Sequence, residues 1–260
     1  MKISVVTVCF NAAGTIEDTL RSVAEQNYPN VEHLVIDGGS TDATRDIVRR
    51  FSRSVSKFHS GSDQGIYDAM NIGLGMATGD FVMFLNADDR YANPGSISAM
   101  ANGLRCSGAQ TAYADISYVA ADDPSRRLRR WRSGEYRRGA FAAGWAPPHP
   151  AFVASRSVLR NLGGFDLRYR LAADFDLMMR ALDGASHSTT YVERELVLMK
   201  IGGATNATFG NVVRQNLEIL DSIRRAGHRY AAPRLVTRKI LVRFRQKFEA
   251  WTDPRRDTSP

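Results

Sequence analysis

Carboxylates carry the first chemical signal in this 260-residue chain. Asp37, Asp63 and the Asp88-Asp89 pair each follow a segment that reads as a β-strand, so three acidic strand ends should share one rim although they lie far apart in sequence. Carboxylates in that position have two common uses: holding a hard divalent cation against a diphosphate, and binding nucleotide hydroxyls and base edges. Asn86, two residues before Asp88, adds an amide that can hydrogen-bond a hydroxyl. A second acidic pair, Asp174 and Asp176, opens a later helical pattern, where a carboxylate can take a proton or serve only as a favourable charge at the helix N-terminus. His149, set between Pro148 and Pro150, is either a packed loop histidine or a substrate contact. The turn after the first strand reads Asn11-Ala12-Ala13-Gly14, and neither GxxxxGK[ST] nor GxGxxG follows any strand. Phosphate charge must then be neutralised another way, and Asp88 with Mg2+ or Mn2+ against diphosphate oxygens is the economical arrangement.

The elements that would position these groups follow from periodicity. Ile3 to Phe10 is β-branched and apolar, as a strand buried on both faces of a parallel sheet should be. From Thr15 the apolar residues Ile16, Leu20 and Val23 fall at helical spacing, and Tyr28-Pro29-Asn30 ends that helix. Val31 to Ile36 reads as a second strand, Asp37-Gly38-Gly39-Ser40 as a tight turn, and Thr41 or Asp42 as the cap of a helix reaching about Phe51. A weaker strand at Phe58 to Ser60, a helix from Gly65 to Met76 and a strand from Asp80 to Leu85 complete the first half. A helix near Ser96 to Gly103, a strand near Gln110 to Tyr118, an arginine-rich loop, a strand at Ala151 to Ala154 and helices from Ser157 and Ala172 are expected beyond it. The alternation predicts an α/β fold with a mostly parallel central sheet and a ligand crevice at the strands' carboxyl ends. The divisions expected are 1–95 as a nucleotide-binding half, 96–204 as the other half of the same domain, and 205–260 as a basic helical segment.

Composition narrows the class. With 43% apolar, 24% charged and 9% aromatic residues, collagen-like, low-complexity and disulfide-framework classes are excluded. No apolar run is long enough to span a membrane, no signal peptide is read, and two unrelated cysteines, Cys9 and Cys106, fit a reducing compartment. The net charge of +8 is concentrated in two places: seven arginines between Arg126 and Arg138, and the stretch from Arg224 to Arg256. Such patches attract phosphate of any kind. In the second, Ile240, Leu241, Phe244 and Phe248 share a helical face flanked by Arg238, Lys239, Arg243, Arg245 and Lys247. That pattern suits an interfacial helix on anionic lipid, and equally a helix packed on its own domain. Nucleic-acid binding has only charge in its favour.

The segments Val5 to Asn11, Val35 to Thr44, Asp63 to Asn71 and Leu85 to Asp89, followed by Gly163-Gly164-Phe165-Asp166 and Ala173 to Leu177, together resemble the family 2 glycosyltransferases with a GT-A fold. The likeness covers roughly residues 3 to 203 and is nearest to non-processive enzymes of bacterial surface-polysaccharide and glycolipid assembly. No Gln-x-x-Arg-Trp motif follows Asp174. The resemblance implies a nucleoside pocket formed by Thr7, Phe10, Asn11, Asp37, Asp63, Asn71, Asn86 and Asp88, with Asp37 reading the base and Asp88 ligating Mn2+ or Mg2+. Asn86 and Ala173 stand where the family usually has acids. It implies Asp174 as general base of an inverting transfer, with His149 and Asp176 as donor-sugar or acceptor contacts. The partners implied are a nucleotide-diphosphate sugar and a saccharide or lipid-linked acceptor. The enzyme would then be cytoplasmic, at the inner face of the cell membrane where its acceptor is lipid-linked. Two rivals remain: a sugar nucleotidyltransferase, which lacks here its glycine-rich basic loop, and a non-catalytic basic module, which leaves the ordered acidic strand ends unexplained.

Overall fold

A computed structural model describes residues 1–121, 123, 125–184, 188–201 and 209–228. The apolar run becomes β1 (Ile3–Cys9), buried at every residue because parallel neighbours cover both its edges: β2 (Val31–Asp37) on one side and β4 (Phe81–Asn86) on the other. β3 (Lys57–Ser60) extends the sheet beyond β2, also parallel. The crossovers are α1 (Ile16–Ala24), α2 (Thr44–Arg50) and α3 (Ile66–Met76). Helix α1 buries Ile16, Leu20 and Val23, the stripe its sequence predicts.

Beyond β4 the sheet becomes mixed. After β5 (Asp89–Tyr91) and α4 (Ser96–Ser107) come β6 (Thr111–Val119), β7 (Arg127–Trp131), β8 (Phe152–Ser155), α5 (Arg156–Asn161), α6 (Ala173–Asp183), β9 (Thr189–Lys200) and α7 (Phe209–Arg225). The order across the sheet is β3-β2-β1-β4-β8-β6-β9-β5, with β7 beside β6. β8 runs antiparallel to both β4 and β6, so β6, and β9 parallel to it, point the same way as β4. The longest ladders are therefore parallel. β5 follows β4 by two residues in the chain yet pairs with β9 at the far end, which requires the sheet to curl on itself.

Two departures from the sequence reading have physical causes. The arginine-rich stretch is not all loop: Arg127–Trp131 is a strand whose charges meet partners across the ladder, Arg127 on Glu195 at 2.8 Å and Arg130 on buried Asp115 at 3.4 Å. β5 and β9 were not anticipated either; β9 carries Glu193-Arg194-Glu195 in its middle, and its pairing with β6 shifts register around Asp115. The division near residue 205 falls among residues outside those described, as does the basic stretch 229–260, but α7 is part of the main body. Its Ile219 and Ile223 are buried in the same core as Met178 and Leu182 of α6.

Candidate active site

Topology alone assembles a rim. The carboxyl ends of β1, β2, β3, β4, β6 and β9 share one side, as does the start of antiparallel β8, so Asn11, Asp37, Asp63, Asp88, His149 and Lys200 all come to it. The expectation that separate acidic strand ends converge holds in that sense. What each side chain does there differs.

Asp37 is fully buried and fully engaged: Ser40 donates from its backbone N–H and its hydroxyl, and the Ser60 hydroxyl donates to Oδ2 at 2.6 Å. It ties the β2 turn to β3 and presents no free oxygen to a base, so the base-reading role expected of it is not what this geometry offers. Asp63 stands next to it, half-buried. Its Oδ1 accepts the Gly65 N–H at 2.8 Å, and its Oδ2 lies 2.6 Å from where a Cβ on Gly38 would sit. The missing side chain at Gly38 is what admits that carboxylate. Asn11 adopts φ 48° and joins two turns, its Oδ1 accepting the Thr41 N–H at 2.9 Å while its own N–H donates to Ser40 Oγ at 2.8 Å. Asp42 supports the same junction, accepting from the N–H groups of Thr44 and Ala13. Phe10, one of the expected pocket residues, is 63% exposed beside this junction, an apolar face open to a ligand.

Two residues of the expected nucleoside pocket are elsewhere. Thr7 is buried inside the sheet, its hydroxyl 3.0 Å from His33 Nε2. Alternation along β1 turns it away from the rim surface. Asn71 is a latch: its Nδ2 donates to the Phe165 carbonyl at 2.9 Å and its Oδ1 accepts the Phe165 N–H at 2.8 Å, which spends the amide on holding α3 to the loop before α6.

At the end of β4, burial raises the Asp88 carboxyl above the ordinary carboxylate value, with the Lys200 ammonium pulling the other way. Asp89 is buried outright and pushed well up by that burial and by the charge of Asp88; Asn86 Nδ2 reaches its Oδ2 at 3.4 Å. Asn86 Oδ1 is buried with no hydrogen-bond partner. Among the described residues no three His, Cys, Asp or Glu side chains form a self-sufficient metal cage. One carboxylate and one orphaned amide oxygen are an incomplete set of hard donors, which suits a Mg2+ or Mn2+ ion whose remaining ligands are diphosphate and water oxygens.

Across the rim, Asp174 occupies the first turn of α6, and the Tyr67 hydroxyl donates to its Oδ1 at 3.0 Å. That phenol is buried and its pKa is driven well above normal, by burial first and then by Asp174, so Tyr67 remains a donor. His149 stacks on Phe84 with ring centroids 5.9 Å apart and meets Phe165 edge-on; its Nε2 is buried without a partner. Burial lowers its pKa, only partly offset by Asp174, which keeps it neutral at neutral pH. Asp176 faces the other way. It is buried between Arg180 Nε and Ser222 Oγ, both at 2.7 Å, and joins α6 to α7 rather than contacting a substrate. The sequence analysis gave no role to Tyr67 or Lys200; Tyr67 carries no local signal, since it meets a residue 107 positions away.

The family model "Glycosyl transferase family 2" matches residues 4–162. A "PGL/p-HBAD biosynthesis glycosyltransferase" of Mycobacterium bovis is 28% identical over 250 residues, 92% of this chain and 94% of the relative. Among solved structures, S. aureus TarS 1-349 in complex with UDP-GlcNAc superposes with a TM-score of 0.67 at 18% identity, over 86% of this chain and 66% of that one. Glucosyl-3-phosphoglycerate synthase from Mycobacterium tuberculosis, in complex with Mn2+, UDP and phosphoglyceric acid, gives 0.63 at 19% identity, over 88% and 80%. At such identities the two structures establish shared architecture, the GT-A arrangement that the sequence resemblance implies. More than half of the chain, including every strand end from β1 to β4, lies within the matched span, and the chain belongs to glycosyl transferase family 2.

Proposed function

We propose that this glycosyltransferase moves a sugar from a nucleotide-diphosphate sugar to a hydroxyl of a saccharide, glycolipid or polyprenol-linked acceptor in cell-envelope glycan assembly, with inversion at the anomeric carbon. The observation that carries the reading is Asp174, a carboxylate in the first turn of α6 with one oxygen fixed by Tyr67 and the other left for a substrate. Asp63 and Asn86 would accept or donate to nucleoside hydroxyls and base edges, with Phe10 against a flat face. Asp88, with Asn86 Oδ1 beside it, would hold Mg2+ or Mn2+. Bound there, the ion supplies Lewis-acid stabilisation of the charge that grows on the departing diphosphate. Asp174 takes the acceptor hydroxyl's proton as that oxygen bonds to the anomeric carbon; the bond from that carbon to the diphosphate oxygen breaks on the opposite face. One displacement inverts the centre, and no covalent sugar–enzyme intermediate is needed. Neutral His149, with a free Nε2, would hydrogen-bond a sugar hydroxyl between the two carboxylate sites. Support also comes from the named biosynthetic role of the M. bovis relative and from the Mn2+ and UDP of the synthase. A lipid-linked acceptor would be met by peripheral contact at the inner face of the membrane.

Asp174→Asn keeps the shape of the side chain and removes its ability to accept a proton. Transfer should fall roughly a hundred- to ten-thousandfold, while donor affinity measured by calorimetry changes little. Near-normal turnover in the variant would place the base elsewhere and defeat the reading.

A further inference from the structure

Lys200 is the last residue of β9, and because β9 runs parallel to β6 it ends on the rim that carries Asp88. Antiparallel pairing of β5 with β9 sets Asp89 opposite Met199; one further step in that register brings Lys200 opposite Asp88. Its Nζ lies 3.5 Å from Asp18 Oδ2 on α1, and the side chain is only 15% exposed whereas Asp18 is 54% exposed. An extended, mostly covered lysine therefore crosses the rim to a partner that water already solvates well. Because Asp18 is well solvated on its own side, water competes for its carboxylate and it gives the ammonium up to a stronger anion. The Lys200 charge also acts on both Asp88 and Asp89.

We propose that Lys200 binds the diphosphate of the nucleotide donor, exchanging its ion pair with Asp18 for the phosphate oxygens as the nucleotide seats against Asp88. The inference rests on the donor reading above and adds a residue to it. A lysine acts on phosphate as a compact point charge with three donors. As the sugar leaves, negative charge accumulates on the terminal phosphate within its reach, so the same contact that binds the diphosphate strengthens as the reaction proceeds.

The test is calorimetry in magnesium buffer with UDP and GDP, and with UMP and GMP as controls for the nucleoside end, on wild type, Lys200→Met, Lys200→Arg and Asp18→Asn. For the base that wild type prefers, Lys200→Met should weaken diphosphate binding roughly ten- to a hundredfold, the range of a hydrogen bond to a charged group, and leave the monophosphate within about threefold. Lys200→Arg should recover most of the loss. Asp18→Asn, which removes the competitor, should bind the diphosphate tighter than wild type. Diphosphate binding unchanged in Lys200→Met overturns the proposal, as does an equal loss for monophosphate and diphosphate, or a loss in Asp18→Asn as large as in Lys200→Met; each makes the pair a structural strut. Failure of wild type to bind either diphosphate would instead overturn the donor reading, and this inference with it.

Discussion

Asp174 and Tyr67 illustrate how the carboxylate proposed as the base is held at the level of single residues. A hydrogen bond to a carboxylate is worth about 1.5–3 kcal/mol, and here it engages Oδ1, leaving Oδ2 for the proposed acceptor. Tyr67→Phe removes that hydroxyl and keeps the ring stacked on Phe165 at 5.5 Å. Turnover should fall about tenfold or more, with donor affinity and melting temperature close to wild type. An unchanged kcat would show the contact to be incidental. The acidic residues were legible because their sequence position after strands is a topological fact. Their individual roles were not. Asp37 and Asp63 occupy equivalent positions, and what separates them is the pair of serines, Ser40 and Ser60, that close over one of them. Asp176 lies two residues from Asp174, but the helix turns it toward Arg180 and Ser222.

Among the elements, α3 shows how close approach decides a residue type. It lies on β1 and β2, and a Cβ on Gly73 would overlap the Val6 methyl groups, whereas one on Gly75 would meet nothing within 4 Å. Overpacking a tight interface costs about 1–3 kcal/mol, and an open helical glycine gives back roughly 0.5–1 kcal/mol when replaced by alanine. Chemical denaturation should therefore find Gly73→Ala destabilised and Gly75→Ala slightly stabilised, two residues apart on one helix. A shared sign would mean that α3 sits further from β1 than described. Strands β1, β2 and β4 and helices α1 and α3 were readable from apolar periodicity because their burial is decided locally. β7 and β9 were not, since charges such as Arg127, Arg130 and Glu195 become compatible with a strand only once their cross-strand partners are in place.

For the whole molecule, the sheet interior sets the response to acid. Burial pushes the His33 imidazole down to about 3, and although burial would raise Glu32, hydrogen bonds from Ser4, Thr78 and Lys2 hold its carboxyl at about 2. Both folded values lie below the unfolded ones, so the unfolded chain binds more protons on acidification. The stability concerned is complete above about pH 6.5 for His33 and above about 4.5 for Glu32, and is lost as pH falls toward the folded values. Between pH 6.5 and 4 the His33 contribution alone amounts to roughly 3 kcal/mol, so melting temperature should decline over that interval, opposed in part by Asp88 and Asp89, whose raised carboxyls take up protons in the folded state. His33→Gln should flatten the decline; an equally steep fall in the variant would assign it to other groups. The curled sheet has one more consequence, for dissection of the gene product. β5 belongs to the first 95 residues but finds its hydrogen-bonding partner in β9, a hundred residues later, and Thr19 of α1 donates to the Asp89 carbonyl beside it. A fragment ending at residue 95, or a chimera spliced there to another glycosyltransferase, would therefore carry the Asp88 turn with its outer strand unzipped. Recombination that respects the architecture must exchange β5 and β9 together.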